Sequence, residues 1–315
     1  MTSSPPNCSA RRTARHFSQL VVIALWACAL LPSTGCDGDA GGSAEQVSRQ
    51  ASPGLRVAVL LPFAADQLLQ LGVRPVAVPA LDGEPPAEWR GIPTVALDHS
   101  AGPNLEQLMA SAPDLVITST TYAQFLPAIE KSTDAQVVVM DVNSIADVSS
   151  HIEELGRLTG HEDEAQARVV EIEKQMVGSE DADEPVRVLA VFGTPHAFYA
   201  FLPSSYLGDL VAHAGGEMIT GDLESHGVFR GLAPLSMEAV IDRDPDHLLV
   251  VFHGPEESAR AMLERDALWG GLSAVRNGHV TFLTDDLYAM RPGSELPRAV
   301  KEIRAVIYEA RSRQP

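Results

Sequence analysis

Apolar residues along this chain follow two different periods in turn, and their alternation predicts a parallel α/β architecture. Residues 55–61, 135–140, 186–192 and 279–283 are short, nearly continuous apolar runs, the signature of strands covered on both faces. A further short strand is expected over 74–78. Between the runs, apolar residues recur at helical spacing over 65–71, 122–131, 204–214, 256–265 and 295–311. The longest such pattern covers 144–177 and includes Ile145, Val148, Ile152, Leu155, Leu158, Ala165, Val169, Ile172 and Met176. Gly156 and Gly160 fall inside it, and His161-Glu162-Asp163-Glu164 reads as a solvated face or a bend between two helices. Strands alternating with helices imply parallel sheets.

One unit occurs twice. Residues 103–118 read P-N-L-E-Q-L-M-A-S-A-P-D-L-V-I-T, and residues 234–251 read P-L-S-M-E-A-V-I-D-R-D-P-D-H-L-L-V-V. Aligned on Glu106 and Glu238, each has a capping residue (Asn104 or Ser236) two positions before the Glu and a Pro-Asp pair (Pro113-Asp114 or Pro245-Asp246) after it. Asn and Ser side chains accept from free N–H groups of a first helical turn, and the residue before each Pro leaves the α region. Each unit is therefore helix, turn, buried strand. Leu105, Leu108, Met109 and Ala112, and then Met237, Val240 and Ile241, are expected to form the inward faces, with Glu106 and Glu238 projecting outward where the helix dipole favours a negative charge.

At 315 residues the chain has room for about two domains. A net charge of −19 argues against nucleic acid as a partner, because phosphate recognition needs clustered Lys and Arg. Arg11, Arg12 and Arg15 precede an apolar run from Leu20 to Leu31 that is too short to span a bilayer comfortably, so residues 1–36 read as an export segment. Pro32-Ser33-Thr34-Gly35-Cys36 resembles a bacterial lipobox with Ser33 in place of its usual Leu, which implies lipidation at Cys36 and a membrane anchor. Leu25-Trp26-Ala27-Cys28 is a competing match, and plain cleavage near Gly35 is the alternative to acylation. The other cysteines are Cys8 and Cys28, so no disulfide or thiolate metal site forms beyond Cys36. Asp37 resembles an inner-membrane retention signal, and residues 37–54 are small and polar, a flexible tether. No nucleophile elbow, H-E-x-x-H, Walker loop or strand-following G-x-G-x-x-G is present; a cell-envelope enzyme is the distant alternative.

Five segments in order carry a family resemblance over about residues 55–311: N-L-E-Q-L-M-A-S-A-P-D-L-V, the 144–177 helix with Glu154-Leu155-Gly156-Arg157-Leu158-Thr159-Gly160, Ser205-Tyr206-Leu207-Gly208-Asp209-Leu210 with Ala214-Gly215-Gly216, P-L-S-M-E-A-V, and Leu268-Trp269 through Ala274-Val275-Arg276-Asn277-Gly278. Together they resemble the helical-backbone substrate-binding proteins of ABC importers for ferric siderophores, cobalamin and haem. The resemblance implies two Rossmann-like lobes (55–143 and 179–315) with parallel sheets, joined by one long backbone helix (144–178). It also implies a cell-envelope carrier without enzymatic activity or resident cofactor, which delivers a metal chelate to a dimeric permease. In that family the Glu of each repeated unit pairs with permease arginines, positions held here by Glu106 and Glu238.

Ligands of open α/β sheets lie beyond the carboxyl ends of the strands. The candidate cleft residues on those loops are Phe63, His99, Ser100, Thr121, Tyr122, His196, Tyr199, Phe229, Arg230, His253, Tyr288 and Arg291. Arginines there would pair chelate oxygens, and Tyr and Phe would cover apolar faces. Tyr122 matches a ligand-contacting tyrosine of hydroxamate-siderophore relatives, whereas Ser100 stands near the place of their arginine, which leaves the chelator class open. A ferric siderophore is the first expectation, with cobalamin, haem or a bare Zn²⁺ or Mn²⁺ held by His99, His196, His226 and His253 as alternatives.

Overall fold

The computed structural model describes residues 54–81, 83–176, 184–193, 198–227, 229–253, 256–265 and 267–312. Cys36, the export segment and the tether lie outside them, as does His196, and the side chain of Met237 is likewise not described. Among the described residues no helix is long and apolar enough to cross a membrane.

In the N-terminal half, β1 (Val57–Val59) leads into α1 (Pro62–Gln70), followed by β2 (Val78–Pro79), β3 (Thr94–Val95), β4 (Leu97–Asp98) and β5 (Gly102–Pro103). The first repeated unit supplies α2 (Leu105–Ala110) and β6 (Leu115–Thr118); a 3-10 turn (Thr120–Phe125), α3 (Leu126–Thr133) and β7 (Gln136–Val139) complete the half. Strands β1, β6 and β7 form a parallel sheet in that order. The strand expected over 74–78 is realised as one parallel bridge, Ala58 to Ala77, before β2 turns away to pair with β3.

The 144–177 pattern becomes two helices, α4 (Ile145–Thr159) and α5 (Glu162–Gln175). Ser144 and Asp147 form a reciprocal capping box at the start of α4, and Gly160 closes it in the left-handed region at φ 72°. The connector is thus a bent pair, with the break at the acidic patch. Gly156 is needed for the bend, since a Cβ there would collide with Ala165 on α5.

The C-terminal half runs β8 (Val186–Gly193), β9 (Phe198–Phe201), α6 (Tyr206–His213), β10 (Gly216–Met218) and β11 (Leu232–Pro234), and then the second repeated unit as α7 (Met237–Arg243) and β12 (His247–Phe252). Helices α8 (Glu256–Arg265), α9 (Ala267–Gly270) and α10 (Ser273–Arg276), β13 (Val280–Thr284), a π-helical turn (Asp286–Met290) and α11 (Leu296–Ser312) follow. Strands β10, β8, β12 and β13 are parallel, as expected. An antiparallel extension, β9 and β11, continues the sheet beyond β8 and carries Tyr199, a residue expected on a loop, within a strand.

A single apolar core joins the halves: Val57, Phe63 and Leu68 share it with Ile152 of α4 and with Val188, Leu207 and Ile303. The segment after the π-helical turn is part of this junction. Gly293, at φ 84°, lies so close to the N-terminal half that a Cβ would come within 2.8 Å of Val148 and 3.1 Å of both Phe63 and Val142.

Two expected cleft residues belong to this junction instead. Pro62 starts α1 earlier than the pattern predicted, a position that tolerates its missing N–H. Phe63 therefore turns inward, fully buried, and gives no surface to a ligand. Arg291 is also withdrawn. Its Nη1 lies 3.3 Å from Asp66, its Nε 2.9 Å from Asp286 and its Nη2 3.8 Å from Glu295, with only 11% of the side chain exposed. A guanidinium shared among three carboxylates holds the halves together rather than a chelate.

Candidate ligand cleft

The site is built from the β4–β5 hairpin, the 3-10 turn after β6, and the loop that precedes β11. Asp98 ends β4 and folds its carboxylate back into the turn, accepting from the Ser100 N–H at 2.7 Å, the Ser100 hydroxyl at 2.6 Å and the Ala101 N–H at 2.7 Å. These bonds, the Ser100 hydroxyl first, hold the Asp98 carboxyl below the usual range. Ser100 thereby serves the turn, and the turn presents His99, exposed, at its tip. Gly102 allows the close return: at φ 86°, any Cβ would strike the Phe125 ring at 2.7 Å.

Tyr122 lies in the 3-10 turn at φ −104°, ψ 15°, and is 5% exposed. Burial, reinforced by the negative charge of Asp98, pushes its phenol up, so the hydroxyl stays protonated. Its ring stacks on His99 with centroids 5.9 Å apart and planes 12° from parallel.

From the opposite half, a loop fixed by the His226 N–H donating to the Leu232 carbonyl (2.7 Å) and the Leu232 N–H donating to the Phe229 carbonyl (2.9 Å) brings Phe229 to His99, edge to face at 5.3 Å. Phe229 stacks on His226 at 5.5 Å, and His226 meets Tyr199 of β9 edge-on at 5.9 Å. Tyr122, His99, Phe229, His226 and Tyr199 thus form a continuous row of rings that crosses from one half to the other. Arg230, exposed, adjoins it.

Beside the row is a cavity of about 170 Å³ whose lining includes Thr121, Asp141, Phe229, Arg230, Tyr206 and Tyr288. Tyr288 sits on the π-helical turn, 2% exposed, its phenol pushed up by burial. His253 is placed elsewhere, at the end of β12, its Nδ1 2.9 Å from Asp285. Among the described residues no three His, Cys, Asp or Glu converge on a metal site.

A periplasmic binding protein family model matches residues 57–287, most of the chain. The chain belongs to this family, in its Fe/B12 class of ABC-importer binding proteins. The high-affinity heme uptake system protein IsdE of Staphylococcus aureus is 22% identical over 232 residues, 71% of this chain and 77% of IsdE. Among solved structures, an ABC transporter substrate-binding protein from Listeria monocytogenes superposes with TM-score 0.70 at 22% identity, covering 81% of this chain and 99% of its own. The heme complex of S. aureus IsdE gives 0.68 at 21%, covering 81% and 99%. The vitamin B12 binding protein BtuF of Vibrio cholerae gives 0.66 at 20%, covering 83% and 99%. These likenesses share the two-lobed α/β fold expected from the sequence. The relatives are transporter binding proteins rather than enzymes.

His226, expected from the sequence only as a ligand of a bare ion, is the link between Phe229 and Tyr199. The two repeated units prove alike in an unforeseen detail. The Arg56 N–H donates to Asp114 (2.9 Å) while its guanidinium donates to the Ala112 and Ser111 carbonyls (2.7 Å each). The Arg187 N–H donates to Asp246 (3.0 Å) and its guanidinium to the Asp244 (3.1 Å) and Arg243 (2.7 Å) carbonyls. The signal was present: an Arg stands within one residue of the start of each half's first strand, 58 and 59 positions before the Asp of its Pro-Asp pair. Both Glu106 and Glu238 are exposed in the first turns of α2 and α7.

Proposed function

We propose that this ABC-importer binding protein captures a flat metal macrocycle, a metalloporphyrin or a corrin, between its two halves. It is held at the membrane by a lipid on Cys36 and passes the cargo to a permease dimer met through Glu106 and Glu238. The observation that carries the ligand class is the row of five rings. Aromatic and imidazole faces of this kind cover a planar conjugated ring, imidazole nitrogen is a good axial donor to iron or cobalt, and Arg230 suits a carboxylate on the macrocycle rim. The haem and vitamin B12 descriptions of the relatives support the same class.

The ferric siderophore expected from the sequence loses support because Arg291 is committed to Asp66, Asp286 and Glu295. A cavity of about 170 Å³ is smaller than the roughly 300–1,000 Å³ typical of ligand sites, so entry requires the ring row to part. The test is an absorbance and fluorescence titration of the purified protein with ferric protoporphyrin IX, cobalamin, a ferric hydroxamate, a ferric catecholate and Zn²⁺. Saturable one-to-one binding of a macrocycle, with a shifted porphyrin or corrin band, is expected. Tight binding of a siderophore with no response to either macrocycle would overturn the ligand assignment.

A further inference from the structure

The helical pattern of both repeated units predicted that Met109 and Ile241 face inward; the structure turns both outward, 45% and 44% exposed. The core is already closed by the preceding residue in each unit, since Leu108 and Val240 are fully buried. Each exposed side chain stands three positions after the repeated Glu, so Glu106 with Met109, and Glu238 with Ile241, share one face of their helices. A single exposed Met or Ile on a surface carries no meaning. The same acidic–apolar couple recurs at matching positions of both repeated units, which makes it a shared feature of the pair.

Both helices are also held stiffly. Asn104 and Ser236 accept from the N–H groups of Gln107 (3.0 Å) and Ala239 (3.2 Å), and Arg56 and Arg187 bind the carbonyls at the other ends. Ala112 and Asp244, at φ 43° and 33°, make the same left-handed exit. Rigid presentation reduces the ordering entropy lost when a surface is bound.

We infer that each docking knob is bipartite. Glu106 and Glu238 supply charge and register, and Met109 and Ile241 insert into an apolar depression beside a basic group, present once in each subunit of the permease dimer. This rests on the proposed docking role of the two glutamates. Acidic knobs select basic partner groups and speed encounter, whereas the apolar members set how long the complex lasts.

The test measures binding of the full-length, ferric protoporphyrin-loaded protein to the cognate permease in nanodiscs, comparing wild type with Glu106→Gln/Glu238→Gln and Met109→Ser/Ile241→Ser. The serine pair is expected to weaken binding on the order of tenfold, mainly through faster dissociation. Its porphyrin titration and melting temperature should match wild type, and Met109→Leu/Ile241→Leu should bind normally. If the glutamine pair loses binding while the serine pair stays within about twofold of wild type, the apolar half of the inference is wrong and the docking reading survives. If neither pair weakens binding, the docking reading fails and takes the inference with it. A change in self-association of the protein alone on Met109→Ser/Ile241→Ser would assign the apolar residues to a second copy of this chain and overturn the inference.

Discussion

His99, at the tip of a hairpin in one half, meets Phe229, on a loop of the other, edge to face at 5.3 Å. The contact closes the row of rings over the cleft, so on the proposed reading it opens to admit a macrocycle and re-forms around it. Such pairs contribute about 0.5–1.5 kcal/mol beyond their area. Phe229→Ala and His99→Ala should each weaken ferric protoporphyrin binding roughly two- to tenfold, and the double variant should lose less than the two effects combined. A Soret titration of the four proteins measures the coupling; strict additivity would show that the two rings act separately.

Arg291 joins the halves through Asp66, whose carboxyl is raised by burial. Removing one member of a buried pair strands the other, at a cost of about 3–5 kcal/mol. Arg291→Met should therefore lower stability strongly in urea unfolding, and adding Asp66→Asn should recover part of the loss. Ligand affinity of the double variant should remain close to wild type, since neither side chain belongs to the proposed site.

Gly293 is confined both by its φ of 84° and by Val148, Phe63 and Val142. Gly293→Ala should cost about 2 kcal/mol or more, from left-handed strain and overpacking together. The loss should appear in thermal melts, whereas Gly278→Ala, which meets no neighbour within 4 Å, should show the strain alone.

The pH dependence has a defined sign at His213. Burial and then the charge of Arg304, whose Nη2 lies 3.0 Å from the ring Nε2, depress its pKa below 6.5. The folded protein binds this proton more weakly than the unfolded chain does. Its contribution to stability is therefore complete above the ordinary histidine range and is lost as pH falls through the depressed value. Melting temperatures measured between about pH 7.5 and pH 5 should fall less in His213→Gln than in wild type.

Arg56 and Arg187 hold corresponding helix ends, each through bonds to two carbonyls. Charged hydrogen bonds of this kind contribute about 1.5–3 kcal/mol where they are shielded and less at a surface. Arg56→Ala and Arg187→Ala should each destabilise by about 1 kcal/mol in denaturant titrations, and should weaken permease binding without altering the porphyrin spectrum.

Local patterning alone determined the parallel α/β scheme, the duplicated helix–strand unit, the caps Asn104 and Ser236, and the outward Glu106 and Glu238, because each depends on neighbours within one or two turns. It located His99, Tyr122, Tyr199 and Phe229 as loop or strand-end residues of a cleft, but not their order as a row. Only the tertiary structure decided that row, since its rings come from segments far apart in the chain whose meeting depends on how the two halves pack. The same packing buried Phe63 and enclosed Arg291 among three carboxylates, and of the two readings open for the acidic patch the structure took the bend, next to Gly160. It also turned Met109 and Ile241 to solvent. An apolar residue at helical spacing shows that a helix has an apolar side, but how much of that side a sheet covers is set by where the helix lies on it.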